Sequence, residues 1–330
     1  MKKAFKILSY LAIALVLLVI IGIAFVSFTY PRVKSAPDLT IDKTPDRVAR
    51  GAYLANHVTV CVDCHSTRDF SLFSGPIVPG TIGSGGDVFD HSMGFPGIFY
   101  AKNITPAGIS DYTDGELFRL ITTGVTNEGR AMFPLMPYSY YGKMDPEDIY
   151  DIIAYVRSLE PVENEVPESK ADFPVNIILK TIPKDGSPVD KPVKSDLIAY
   201  GKYLTNAASC AECHTPINQQ GVILPDKLYS GGREFAFPDG SVVRSSNITQ
   251  DTESGIGTWT EGMFVRKFKQ YLDSAYQLPK VAPGEYNSIM PWMMYAGMEE
   301  HDLKAIYTYL KTIEPIPNSV VKFSPPVSSE

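Results

Sequence analysis

Cysteine is scarce: the 330 residues hold four, all of them in two short stretches, "CVDCHS" (Cys61–Ser66) and "CAECHT" (Cys210–Thr215). No cysteine is left over to staple distant parts of the chain, which excludes a disulfide-laced scaffold. A basic surplus is also lacking, with 30 Lys and Arg against 37 Asp and Glu for a formal charge of −7. Nucleic-acid binding, which wants a basic face, is excluded on that ground. Alternating apolar and polar runs of strand length are missing, which argues against a β-sandwich or barrel. Long hydrophobic runs are absent except for one. Ile7 to Phe28 holds 22 residues without a charge, behind Lys2, Lys3 and Lys6.

That run is long enough to cross a bilayer core as a helix, which takes about 20 apolar residues. It exceeds the ~7–15 apolar residues usual in a cleaved signal peptide, and no Ala-x-Ala site follows it. Residues 1–30 therefore read as an uncleaved signal anchor, a long cleaved signal peptide being the rival reading. The preceding lysines keep the N-terminus cytoplasmic by the positive-inside rule. In a Gram-negative bacterium this is a single-pass inner-membrane protein with residues 31–330 in the periplasm.

The rest of the chain repeats itself. "ARGAYLANHVTVCVDCHSTRD" (Ala49–Asp69) lies over "AYGKYLTNAASCAECHTPIN" (Ala199–Asn218), with Cys210 following Cys61 by 149 residues. Gly201 follows Gly51 by 150, so the first repeat has one extra residue between glycine and clip. "NIT" recurs at Asn103–Thr105 and Asn247–Thr249, and "MPYSYYGKMDPEDIYDIIAYVRSLEPV" from Met136 matches "MPWMMYAGMEEHDLKAIYTYLKTIEPI" from Met290. The signals within each repeat are helical. Asp145-Pro146-Glu147-Asp148 caps a helix start, Thr113 and Glu116 fit a capping box, and matching helices begin near Thr260 and Glu299. Helical segments over about 45–56 and 195–207 lead into the clips. The expected architecture is all-α: an N-terminal transmembrane helix followed by two tandem domains at 45–162 and 195–317. The Pro-, Glu- and Lys-rich stretch 163–194 reads as a linker with "FPVNIILK" (Phe173–Lys180) as a docking piece, and 318–330 as an extended tail.

Cys-x-x-Cys-His suits covalent haem: two thioethers fix the macrocycle and the adjacent histidine reaches the iron. Cys61, Cys64 and His65 provide this once; Cys210, Cys213 and His214 provide it again, so two covalently attached haem c groups are expected. Zinc needs four ligands, which here would have to be pooled from both clips, and a thioredoxin-type site needs a βαβ context that is missing. A second axial ligand is sought among ten methionines. Met136/Met290 and Met144/Met298 match across the repeat. The latter fall in a slot that any bulky apolar residue could fill. The former precede Pro137 and Pro291, where a rigid turn can aim a side chain, and are preferred. His57, His91 and His301 have no counterpart in the other repeat and read as surface histidines, with His91 a candidate ligand in an alternative state. The NIT segments match glycosylation acceptors, but their matched recurrence favours a structural turn near the haem edge. Tyr112 and Trp259 fall at matching places and would serve either propionates or core packing.

On these motifs both repeats resemble class I cytochrome c domains. "NITQDTESGIGTWTEGMF", the Met-Pro-aromatic segments and "FPVN" are similar to the membrane-associated multihaem cytochrome subunits of bacterial alcohol and aldehyde dehydrogenases, over about residues 45–317. Those subunits carry three haems, against two clips here, and the first repeat is shortened in "NITPAGISDYTDGELF". The resemblance implies axial pairs His65/Met136 and His214/Met290. It also implies an electron carrier working between redox partner proteins: a donor dehydrogenase and an acceptor oxidase or quinone-linked complex. No acid–base constellation calls for a catalyst. The alternative is a haem enzyme, a dihaem peroxidase or small sulfur-compound oxidoreductase, with one open iron site.

Overall fold

The computed structural model describes residues 2–326. Helix α1 (Lys2–Thr29) holds the apolar run, is exposed along most of its length and has a mean hydropathy of 3.1 in its most apolar window. It is a candidate membrane anchor or signal sequence.

The first half then runs α2 (Pro45–Tyr53), α3 (Cys61–Cys64), α4 (Asp114–Thr123), α5 (Tyr138–Tyr141) and α6 (Pro146–Val156). After the short α7 (Val175–Ile178), the second half repeats the order with α8 (Leu197–Ala207), α9 (Cys210–His214), α10 (Glu261–Lys269), α11 (Trp292–Ala296) and α12 (Glu300–Leu310). The caps fall where the sequence signals place them. Thr113 and Glu116 form both bonds of the capping box, Asp145 accepts from the Glu147 amide, and Thr260 accepts from the Met263 amide. The extra residue of the first repeat is absorbed in a π-helical turn at Leu54–Val58, closed by the Thr59 amide on the Leu54 carbonyl. One added residue widens one turn and leaves the clip in place.

In each half the helix before the clip crosses the last helix at a glycine. A Cβ on Gly51 would lie 1.8 Å from the Asp151 carbonyl oxygen, and one on Gly201 would lie 1.9 Å from that of Ala305. The two backbones touch, and no side chain can stand between them.

The fold departs from the all-α expectation in two small antiparallel sheets. One is β1 (Val88–Phe89), β2 (Gly97–Tyr100) and β3 (Lys170–Ala171); the other is β4 (Glu234–Ala236), β5 (Val242–Arg244) and β6 (Phe323–Ser324). Strands of two to four residues are too short to show an alternating pattern. β3 lies in the stretch expected as a linker and β6 in the expected tail, so after each last helix the chain returns to pair beside its own clip.

The halves meet in reciprocal contacts. Tyr53 donates to Asp302 at 2.7 Å and accepts from the Glu299 amide at 3.1 Å. Tyr203 does the same with Asp148 at 2.7 Å and the Asp145 amide at 3.1 Å. Both carboxylates are fully buried, and one continuous apolar cluster joins residues of both halves. Burial pushes the Asp148 carboxyl up, but Arg50, Lys191 and Tyr203 together outweigh it and hold it below the ordinary value.

Gly51→Ala is expected to destabilise the fold by about 3 kcal/mol or prevent folding, since the overpacked atom is rigid backbone; thermal melting against wild type measures this. Asp148 is depressed, so its contribution is fully present above the unfolded carboxyl value and is lost as pH falls from there through its lowered folded-state value. Asp148→Asn should cost about 3 kcal/mol at neutral pH and flatten the acid limb of a stability–pH curve from denaturant melts.

Candidate functional site

Each clip begins with a residue in the left-handed region, Val60 at φ 48° and Ser209 at φ 51°, which turns the chain out of the preceding helix. The four cysteines are free, and Cys64 and Cys213 remain solvent-accessible. Enough protein surrounds these thiols that burial pushes Cys64 and Cys210 up to about 12 and Cys213 to about 11. A redox-active Cys-x-x-Cys needs the opposite shift. Among the described residues no three His, Cys, Asp or Glu side chains converge on a metal-sized site, so the clips do not pool for zinc.

The two histidines are held alike. His65 Nδ1 is 2.6 Å from the Lys102 carbonyl and His214 Nδ1 is 2.8 Å from that of Ser246. A carbonyl can only accept, so Nδ1 carries the proton and Nε2 keeps its lone pair for a metal. Burial holds both imidazoles below the ordinary histidine value, in the neutral, ligating form.

Those carbonyls belong to the residues just before the NIT segments. Asn103 Oδ1 accepts from the amide and hydroxyl of Thr105, and its Nδ2 donates to the Val162 carbonyl at 2.8 Å. Asn247, Thr249 and the Ile316 carbonyl repeat the pattern. Asn103 and Asn247 are buried. NIT is thus a turn that ties the histidine's acceptor to the chain leaving the last helix.

Met136 and Met290 are half-buried in loops, and each carbonyl accepts from the amide two residues on, at Tyr138 and Trp292, across the intervening proline. Met144 and Met298 are 1% exposed and belong to the core. The Tyr138 hydroxyl is buried without a partner. Accessible paired thiols beside a histidine with a free Nε2 fit a covalent haem at each clip. The acid inside each clip is paired with an arginine: Asp63 with Arg68, which also binds Asp87, and Glu212 with Arg233. Burial lifts Asp63 to about 6 against the pull of Arg68.

Sequence reasoning missed the residues between the sites. Tyr141 donates to the Thr59 carbonyl at 3.1 Å, and Tyr295 donates to that of Ala208 at 3.2 Å. Burial drives both hydroxyls well above the ordinary tyrosine value, and thiols of both clips add to it, so each tyrosine lies near its own clip and the other. Ser74, in the first half, donates to the Met290 carbonyl at 2.6 Å and accepts from the Trp292 amide. Asn287 braces this contact by accepting from the Ser74 amide. Of the lone histidines, His91 and His301 have largely exposed side chains paired with Asp172 and Asp302. His57 corrects the surface expectation: it is half-buried, packed on Gly297, with Nδ1 2.9 Å from the Met294 carbonyl. Asn206 makes the reciprocal bond to Tyr140, so His57 does have a counterpart. Tyr112 and Trp259 are half-buried against the core, their carbonyls accepting from Arg157 and Tyr307.

With this geometry described, known cytochrome c proteins are what the chain is similar to. It is 30% identical over 281 residues to the fructose dehydrogenase cytochrome subunit of Gluconobacter japonicus, covering 81% of this chain and 52% of that one. It is 26% identical over 300 residues to the cytochrome c subunit of the quinone alcohol dehydrogenase of Gluconacetobacter polyoxogenes, covering 84% and 59%. It is 27% identical over 316 residues to a diheme cytochrome c-type protein of Cereibacter sphaeroides, covering 93% and 98%. The chain spans between half and three fifths of the fructose, alcohol and gluconate dehydrogenase cytochrome subunits it matches. No protein-family model matches it. The resemblance drawn from the motifs is borne out: the relatives are cytochrome c subunits of dehydrogenases and a diheme cytochrome c, which supports electron transfer by a cytochrome.

Ser74→Ala removes the two bonds that the Ser74 hydroxyl makes to Met290 and Trp292 from the other half. It should cost about 1–2 kcal/mol and speed amide hydrogen exchange at 290–292, leaving 136–138 unchanged; exchange read by mass spectrometry checks the contrast.

Proposed function

We propose that the chain is a membrane-anchored dihaem cytochrome c that passes single electrons between a periplasmic donor and a respiratory-chain acceptor. The observation that carries the reading is the doubled clip, with a histidine in each whose Nδ1 is committed to a backbone carbonyl. Cys61 and Cys64 would hold one haem and Cys210 and Cys213 the other, in two tandem cytochrome c domains. His65 with Met136, and His214 with Met290, would be the axial pairs. The bound haem supplies a one-electron iron couple, which a thioether ligand biases toward the reduced state. The protein's own part is to orient the imidazoles, keep them neutral and surround them with packed apolar side chains. The similarity to dehydrogenase cytochrome subunits supports a catalytic dehydrogenase subunit as donor, with an oxidase or quinone-linked complex as acceptor. α1 would be the anchor in the inner membrane, its lysine-rich start on the cytoplasmic side.

Haem quantification with a carbon monoxide difference spectrum on the reduced protein tests this. Two haems per chain and no carbon monoxide binding are expected; binding in the wild type would put the haem-enzyme reading in its place. Met136→Ala should keep both haems covalently attached and bind carbon monoxide at one iron, whereas loss of a haem in that variant would count against Met136 as a ligand.

A further inference from the structure

We infer that residues 173–182 form a second membrane contact, a lipid-facing patch that seats the first half on the bilayer beside α1. This rests on reading α1 as membrane-spanning. The apolar run Ile7–Phe28 is about 33 Å long as a helix, close to the ~30 Å of a hydrocarbon core. Its two ends therefore mark the two faces of the bilayer.

The segment packs against one of those ends. Lys180 Nζ donates to the Ser27 carbonyl at 3.4 Å, and the Lys34 amide donates to Asp185 at 2.8 Å. Ile23, Ala24, Val26 and Ser27 are partly covered, whereas the preceding turns of α1 are open. Ser27 is one residue from the end of the apolar run. Anything touching it in a spanning helix sits where acyl chains meet headgroups.

The surface of the segment suits that depth. Leu179 points inward at 6% exposure, while Phe173 is 72% exposed, Ile178 53% and Ile182 38%. Phe28, at the same level on α1, is 92% exposed. An aromatic ring with isoleucines at the interface, followed by the exposed Lys184, matches the way chains meet headgroups, with an apolar lysine stem and its tip in water. The patch is also held rigidly to the first half. Gly97 and Ile98 pair with Ala171 and Lys170, the Asp172 amide donates to Pro96 at 2.9 Å, and Gly186 is packed on Gly142. One helix alone would let the first half swivel; two contacts fix which side of it faces the lipid.

The test uses the full-length, haem-loaded protein in vesicles of phosphatidylethanolamine and phosphatidylglycerol carrying an acyl-chain diazirine, with lipid adducts mapped by peptide mass spectrometry after illumination. Adducts are expected on α1 and on the peptide covering 170–184. The double variant Phe173→Glu with Ile178→Glu should lose the second set and keep the first. Adducts on α1 with none on 170–184 would overturn the second contact and leave the anchor standing. A blank α1 would remove the anchor and this inference with it.

Discussion

Everything in each half hangs on a backbone-to-backbone crossing. Where Gly51 meets Asp151 and Gly201 meets Ala305, two helices approach more closely than any side chain permits. That crossing sets the spacing between the helix that delivers the clip and the helix whose exit carries the acceptor for NIT. NIT in turn places the carbonyl on which His65 or His214 leans. A histidine oriented by a bond to main chain cannot swing far, because its acceptor is locked into a buried turn. Orientation of each clip histidine is thus traced to a missing methyl group some distance away.

The halves lean on each other in the same reciprocal way. Each buried aspartate sits in the first turn of one half's last helix and takes a hydroxyl from the other half's first helix. Removing one half would leave a buried carboxylate short of a donor, a cost of the order of a few kcal/mol. The reliance extends to the sites: Ser74 of the first half holds the Met290 loop of the second. Tyr141 and Tyr295 make matching bonds, each to the carbonyl of a residue two positions before a clip.

What was legible in the sequence was what short-range chemistry dictates. The capping box at Thr113 and Glu116, the Asp145-Pro146 start and the two clips need only neighbours a few residues away, and the structure has the helix starts where those signals put them. The extra residue before Cys61 was countable, but its form, a π-helical turn, depends on both its ends being fixed by packing. The strands escaped because β3 and β6 are two residues long and pair across gaps of about 70 and 80 residues. The partners of Tyr203 and Tyr53 escaped for a related reason. Nothing near Tyr203 in the chain points to Asp148, 55 residues earlier, and nothing near Tyr53 points to Asp302, 249 residues on. His57 looked unmatched because its counterpart, Asn206, is a different residue type making the same kind of bond to a carbonyl across the interface.

The repeat is faithful at the sites and unfaithful around them. Both histidines and both NIT turns match in their bonding, and each Met-Pro-aromatic loop closes the same Met carbonyl-to-amide turn. The surroundings differ. The first half alone carries α1 and the segment 173–182 beside it. The second half alone has an aromatic stack of Phe268, Trp292 and Tyr271, with Lys267 5.0 Å from the Trp292 ring centre, next to the Met290 loop. Where the first half has buried Tyr138 the second has Trp292, and a longer excursion from Gln270 to Ser288 reaches back over the loop at Phe70–Ser74. Duplicated sites with equal ligands would be redundant if both met the same partner. The asymmetry gives them different neighbours: α1 with the segment 173–182 on one side, an aromatic and basic protein surface on the other. Under the dihaem reading, direction would therefore come from what each half touches, with the ligand sets left alike.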